Sequence, residues 1–180
     1  TLWLYVERRD AVDSAASALR HELQVIDAAS GRLERTLPLD VGLGSMRALP
    51  GNRVALLVPS RNELRIVARD GTQTSIPLDN INAYAGAALS ADGRRLGVAL
   101  SRGAAVFDTG TGEWLTAPLT GGIAAGDSVS GISLDRTGSR LLLRTIGRQW
   151  VRYRLPRDER PLAEIQAALR WSHDGPGVLG

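Results

Sequence analysis

The sequence contains no cysteine and no lysine, and its 22 basic residues are therefore all arginine. Without cysteine there can be no disulfide, no thiolate metal site and no cysteine nucleophile. Without lysine there is no Schiff-base amine and no P-loop lysine to reach a nucleotide phosphate. These two absences remove several large classes of enzyme. The use of arginine alone, with abundant alanine and glycine, is typical of the codon bias of a GC-rich bacterial genome.

Aromatic residues and long apolar runs are also scarce. Aromatic side chains make up 4% of the chain, and no apolar run approaches the roughly 20 residues that cross a bilayer. No signal peptide opens the sequence, so we expect a cytoplasmic protein, with any segment upstream of Thr1 lying outside this sequence. The net charge is +3 and the pI is about 10.1, because arginine stays protonated at high pH. This charge gives little reason to expect a nucleic-acid partner.

Few residues suggest catalysis. The two histidines, His21 and His173, lie far apart without clustered carboxylates, so we expect them to be exposed and without a role. The stretch Gly126-Asp-Ser-Val129 resembles the opening of the Gly-Asp-Ser-Leu lipase family, in which the serine is the nucleophile. That family's Asp-x-x-His is missing, because Arg170 stands three positions before His173. We therefore expect no catalytic residue, no metal and no cofactor.

One pattern recurs along the chain at intervals of about forty residues. It consists of an apolar strand end, a tight polar turn that carries glycine, an arginine and a second apolar run. It is found at Ala48–Val58, Ala88–Leu100 and Ile132–Leu143. Turn residues between two alternating runs are the sequence signature of a β-hairpin. The sequence therefore predicts the same hairpin at least three times.

A second element follows each hairpin and completes the repeat. Val106–Gly112 matches Val25–Gly31, and each is a strand that ends in a turn around Asp and Gly. Further strands are predicted at 32–39, 72–78 and 113–119, each with a proline near its end, which suits an edge position. Four antiparallel strands recurring every forty residues are typical of the blades of a β-propeller. A β-sandwich is the alternative, but it gives no reason for this period.

The best-preserved repeat resembles those of WD-repeat proteins. Ser90-Ala-Asp-Gly-Arg is similar to the family's turn between its first two strands, usually Ser-Pro-Asp-Gly followed by a basic residue. Phe107-Asp108 and Ile26-Asp27 stand where the family has Trp-Asp. The Gly-His dipeptide and the Trp before Asp are missing, so the His–Trp–Asp network that braces typical blades cannot form. We expect these blades to rely on apolar packing.

We predict an all-β fold, a propeller of about four blades and fourteen strands, with one strand missing at each end. The blades are assigned to residues 1–40, 41–80, 81–122 and 123–156, and residues 157–180 to a short C-terminal helix and a Gly-rich tail. Residues 9–20 are an insertion, for which a loop is favoured over a short helix. Unpaired edges invite another strand. The chain is therefore expected to belong to a larger propeller or to complete its ring with a second chain.

The best candidate for a partner-contact surface lies near the C-terminus, where arginines alternate with aromatic residues. It comprises Arg144, Arg148, Trp150, Arg152, Tyr153 and Arg154, with Arg157 and Arg160 beyond. Arg152 and Arg154 share one face of a predicted strand, and Val151 and Tyr153 share the other. Arginine and aromatic side chains are common anchors of protein interfaces and also bind phosphates. The alternatives are a plain solvated strand face and contact with nucleic acid or anionic lipid.

The resemblance and the absence of catalytic residues together predict a non-catalytic scaffold. The expected partner is a protein, and the expected setting is a bacterial signalling or regulatory protein that contains this propeller. Nucleic acid is not an expected partner, and this segment contains no membrane span. Two alternatives stay open. One is a propeller hydrolase or lactonase, with carboxylates converging on the central channel, and the other is an extracytoplasmic ligand-sensing domain.

Overall fold

The structure, a computed structural model, describes residues 1–9 and 19–156, and this part of the chain is all-β. Within these residues, thirteen strands form four antiparallel sheets that follow one another along the sequence. The predicted helix and tail, residues 157–180, and residues 10–18 of the predicted insertion lie outside the described residues. The fold class is therefore confirmed as all-β, with separate small sheets instead of two facing layers.

The sheets are named A to D in chain order. Sheet A consists of β1 (Leu2–Arg9), β2 (Leu19–Ile26) and β3 (Leu33–Leu39). Sheet B consists of β4 (Ser45–Leu49), β5 (Arg53–Val58), β6 (Glu63–Ala68) and β7 (Gln73–Pro77). Sheet C consists of β8 (Ala87–Leu89), β9 (Arg95–Leu100) and β10 (Gly103–Asp108). Sheet D consists of β11 (Val129–Leu134), β12 (Arg140–Thr145) and β13 (Trp150–Arg154). A single short 3₁₀ turn, Pro59–Arg61, joins β5 to β6.

In the described part of the chain, three apolar cores hold successive sheets together. The first lies between sheets A and B, the second between B and C, and the third between C and D. Strand β5 shows how one strand serves two cores. Its residues Val54 and Leu56 pack towards sheet A, whereas Ala55 and Leu57 pack towards sheet C, because side chains alternate across a strand. Sheets B and C are therefore buried on both faces, and sheets A and D on one.

The repeated glycine turns lie against one another between sheets. Gly93, in the turn before β9, adopts φ +72°, and a Cβ there would lie 2.5 Å from Pro50 of sheet B. On the other side of that turn, the guanidinium of Arg95 donates to the carbonyl of Gly138 in sheet D at 2.8 Å. The Ser90 hydroxyl lies 2.5 Å from the buried carboxyl of Asp92 and braces the turn from within. The repeat therefore joins its neighbours through polar turns as well as through apolar packing.

The predicted strand at residues 113–119 does not form a continuous strand. It contacts β10 at two isolated bridges, Phe107 with Trp114 and Ala104 with Leu119. Between these bridges the chain leaves the ladder at a segment that includes Pro118, which has no N–H to donate. The described residues therefore form thirteen strands where about fourteen were predicted, and the outer edge of sheet C is an irregular segment bonded to β10 at two bridges.

Two kinds of loop lie at the same end of the sheets, namely the connections from one sheet to the next and the central hairpin turn of each sheet. We call this end the loop face. It comprises residues 40–44, 59–62, 78–86, 101–102, 120–128 and 146–149. Backbone hydrogen bonds join these loops across sheets: Ser101 donates to Asn80 at 2.7 Å, and Ile146 donates to Ser128 at 2.8 Å. The loop face is therefore one connected surface. Among the described residues, no helix has the length and apolar character needed to cross a membrane.

Candidate functional site

The side of sheet D that faces away from sheet C carries most of the predicted contact residues. We call it the basic face and define it as Arg140, Leu142, Arg144, Trp150, Arg152 and Arg154. The antiparallel register brings these residues together, because Arg140 pairs with Arg154, Leu142 with Arg152, and Arg144 with Trp150. The alternation of β13 therefore places Arg152 and Arg154 outward, and Val151 and Tyr153 pack towards sheet C.

Two tight turns position the strands of the basic face. Before β12, the carboxyl of Asp135 accepts the backbone N–H groups of Ser139 at 2.7 Å and Arg140 at 3.1 Å. Between β12 and β13, the N–H of Gln149 donates to the Thr145 hydroxyl at 3.1 Å. The backbone N–H of Arg148 in the same turn donates to the carbonyl of Thr145 at 3.0 Å. Short turns of this kind fix the register of the strands that they connect.

An open groove of about 580 Å³ runs along the basic face, and its lining includes Ser133, Leu142, Arg144, Trp150 and Arg152. The Trp150 side chain is 61% exposed, which is unusual for so large an apolar group. The guanidinium carbon of Arg144 lies 6.0 Å from the centre of the Trp150 ring, at the outer limit of a cation–π contact. The groove thus combines an exposed aromatic ring with positive charge.

Within the described residues, the arginines of the basic face have no carboxylate partner, and Asp135, which borders the groove, accepts hydrogen bonds from its own turn. Some arginines elsewhere are paired with carboxylates. Arg65, 7% exposed, lies 3.1 Å from Asp40, and Arg69 donates to Glu34 at 2.9 Å. Although burial raises the pKa of the Asp40 carboxyl, the hydrogen bond from Arg65 holds this pKa below its usual value. Positive charge is therefore left uncompensated only on some surfaces, and the basic face is one of them.

Two of the predicted contact residues do not lie on the basic face. Arg148 is in the β12–β13 turn with φ +62°, a backbone conformation that is uncommon for residues other than glycine and asparagine. Tyr153 is on the inner face, where its hydroxyl donates to the carbonyl of Gly121. Burial raises the pKa of the Tyr153 phenol. Tyr153 thus supports the C–D core, and Arg157 and Arg160 lie outside the described residues.

The loop face has exposed apolar side chains that the sequence alone did not indicate. Tyr84 is fully exposed, and Ile146 is 69% exposed. The loop that carries Tyr84 is fixed by Asn82, whose amide oxygen accepts the backbone N–H of Tyr84 at 3.1 Å. The amide nitrogen of Asn82 donates to the carbonyl of Val129 in sheet D at 2.6 Å. An Asn two residues before an aromatic residue is the sequence signal that could have indicated this turn.

His21 is not the exposed and idle residue that the sequence predicted. Its side chain is 15% exposed, and its Nδ1 lies 2.7 Å from the hydroxyl of Tyr5, with the two rings stacked. Burial, followed by the hydrogen bond to Glu7, raises the pKa of the Tyr5 phenol. The register that pairs Glu7 with His21 across β1 and β2 brings this cluster together. His173 lies outside the described residues.

The Gly126-Asp-Ser segment lies in the loop that precedes β11. The Asp127 carboxyl accepts hydrogen bonds from the Thr145 hydroxyl and from the N–H of Gly147, and these lower its pKa. This loop therefore holds the end of β12. Residues 1–9 and 19–156 contain no group of three or more His, Cys, Asp or Glu side chains that could bind a metal ion.

Comparison with known proteins supports the fold. No protein-family model matches the chain, and no curated protein sequence matches it. Among solved structures, the crystal structure of the Cps50 (Swd1) β-propeller domain of Myceliophteria thermophila is similar, with a TM-score of 0.55 and 12% sequence identity. The similarity covers 77% of this chain and 50% of the other, so this chain spans about half the length of that propeller chain. The four sheets thus have a propeller-like arrangement.

Proposed function

We propose that this protein is a non-catalytic scaffold that binds a partner protein through the basic face. The observation that carries the proposal is the exposure of Trp150, 61%, on a sheet whose other face is firmly packed. Tryptophan and arginine are the residues most enriched among those that dominate binding energy at protein interfaces. A rigid sheet also presents them with little loss of conformational freedom on binding.

The wider setting is part of the same proposal. The turn Ser90–Arg94 and the propeller-like fold support a divergent WD-repeat protein, and the composition supports a bacterial one. We place this scaffold in a cytoplasmic signalling or regulatory protein. The blade boundaries at residues 40, 80 and 122 belong to this proposal as well. The propeller provides the rigid frame, and its exposed faces and loops provide the contacts.

Site-specific photo-crosslinking in the producing cells tests this function. A photoreactive aromatic amino acid, which keeps a ring at this position, replaces Trp150 on the basic face or, as a control, Gln73 on the exposed edge strand β7. We expect a defined protein adduct from position 150 and none from position 73. The adduct should disappear when Arg152→Glu is added, because that change reverses charge beside the ring. The absence of any adduct specific to position 150 would overturn the proposal.

A further inference from the structure

Among the described residues, β13 pairs with β12 alone and is the last strand of sheet D, so its outer edge has no paired strand there. Every second residue of an edge strand directs its backbone N–H and C=O groups away from the sheet. An extended segment could therefore pair with β13 at the usual distance of about 4.8 Å between strands. Backbone groups of this kind are matched by a polypeptide and not by a nucleic acid.

The charge along this edge specifies what the segment should carry. Arg152 and Arg154 lie two residues apart on the same side of β13, so their positions repeat at about 6.8 Å. Alternate residues of a paired strand have the same spacing, and a carboxylate on each would meet one guanidinium. Arg154 also faces Arg140 directly across the ladder, an arrangement of like charges that is unfavourable unless an anion lies nearby.

The side chains on the opposite side of β13 indicate which residue type the remaining positions of the added segment should have. Val151 and Tyr153 are half-buried on that side and pack against the C–D core. A strand added beside them would direct its other side chains over this partly covered apolar surface. Apolar residues would complete its burial. The expected sequence is therefore an alternation of acidic and apolar residues.

We infer that the edge of β13 and the adjoining basic face bind an extended acidic segment of a partner protein, which adds a strand to sheet D. The partner's carboxylates pair with Arg152 and Arg154, and its apolar residues cover Val151 and Tyr153. Binding of this type takes its affinity from backbone hydrogen bonds and its specificity from alternate side chains. The inference rests on the proposed scaffold function and defines the chemistry of its partner.

Binding of synthetic peptides to the intact protein tests this inference. The probe is a short fluorescent peptide of alternating glutamate and valine, and binding is followed by anisotropy. One control peptide has the same composition with glutamates and valines in separate blocks, and a second has arginine in place of glutamate. We expect the alternating acidic peptide to bind at least about tenfold more tightly than either control. Hydrogen exchange should show new protection at the backbone N–H groups of β13.

Matched variants separate the site from general charge effects. Arg152→Glu with Arg154→Glu should weaken binding of the acidic peptide by about tenfold or more. Arg32→Glu with Arg102→Glu makes the same charge change at two exposed turn positions, one before β3 and one between β9 and β10, and should change the affinity by less than about twofold. Circular dichroism and thermal unfolding should show that both double variants remain folded.

Three outcomes would overturn the inference. Equal binding of the alternating and block peptides would show plain charge attraction without an added strand. Tighter binding of single-stranded DNA of matched charge would assign the face to nucleic acid. No binding of the acidic peptide would exclude a partner of this chemistry. In each case, an adduct from position 150 would still show that the scaffold function holds, so the two failures are distinguishable.

Discussion

The inner sheets and the terminal sheets of this protein differ in how many of their faces are buried. Strand β9 of sheet C is buried at every position, whereas β13 of sheet D alternates between exposed and half-buried positions. The two terminal faces also differ from each other. The outer face of sheet A exposes aliphatic residues such as Leu2, Leu4 and Leu33, but that of sheet D exposes arginine and tryptophan. The repeated strands thus form the buried interior, whereas the exposed side chains of the two terminal faces differ in chemical character.

The largest expected effect comes from truncating an inner leucine. Leu57 in β5 is 1% exposed, and Leu57→Ala should lower the free energy of unfolding by about 2–5 kcal/mol because it leaves a cavity between two sheets. Leu4 on the outer face of sheet A is 45% exposed, and Leu4→Ala should change it by at most about 0.5 kcal/mol. Urea denaturation measures both. Equal losses would mean that the outer face of sheet A is covered in solution.

A second comparison uses two glycines with nearly the same backbone conformation. Gly31 of sheet A has φ +69° with open space around it, and Gly93 of sheet C has φ +72° against Pro50. Gly31→Ala should cost only the left-handed conformation, about 1–2 kcal/mol. Gly93→Ala should cost about 1–3 kcal/mol more, because the added methyl meets the proline ring. Thermal and urea unfolding of both variants would show whether the turns pack as described.

Reversing a charge on the basic face should have a smaller effect, and it should raise the free energy of unfolding. Arg154→Glu should stabilise the protein by about 0.2–1 kcal/mol, because the two like charges of Arg154 and Arg140, which face each other across the ladder, become an ion pair. Arg152 faces Leu142, so Arg152→Glu should give a smaller gain. The difference should shrink at high salt, where exposed charges are screened. Loss of stability in Arg154→Glu at low salt would contradict this geometry.

The smallest expected effect is a dependence on pH at the loop that holds sheet D. Because the pKa of Asp127 is lowered in the folded protein, its stabilising contribution is present above the ordinary aspartate pKa of about 3.9. It is lost as the pH falls through the lowered pKa. Asp127→Asn should therefore reduce the loss of stability in acid and leave a protein that is slightly less stable at neutral pH. Urea midpoints measured from neutral to acid pH provide the check.

The sequence predicted most of the fold because local signals repeat along it. Turn residues such as Asp92-Gly93 lie between alternating runs, and both features can be recognised without knowing distant contacts. The segment at residues 113–119 was predicted as a strand from its place in the repeat. It forms only two bridges to β10, because pairing depends on the neighbouring strand as well as on local preference.

The surface was harder to predict than the interior. Alternation along β13 correctly separated Arg152 from Tyr153, since strand geometry alone decides that. The same reasoning could not place Arg148, which lies in the β12–β13 turn, or reveal the contact of His21 with Tyr5. The first depends on the conformation of the turn, and the second on which residues the β1–β2 hairpin brings opposite each other. The exposure of Tyr84 likewise depends on the link between Asn82 and sheet D.

The link made by Asn82 has a consequence for how this protein could change over time. The Asn82 amide group donates to the carbonyl of Val129 and accepts the backbone N–H groups of Tyr84 and Ala85. Residues 83–85 are therefore held in place by a side chain that is not one of their own. Substitutions at the exposed tip would then leave the frame intact. By evolution or by design, this loop could therefore acquire a new binding specificity while the rest of the propeller stays unchanged.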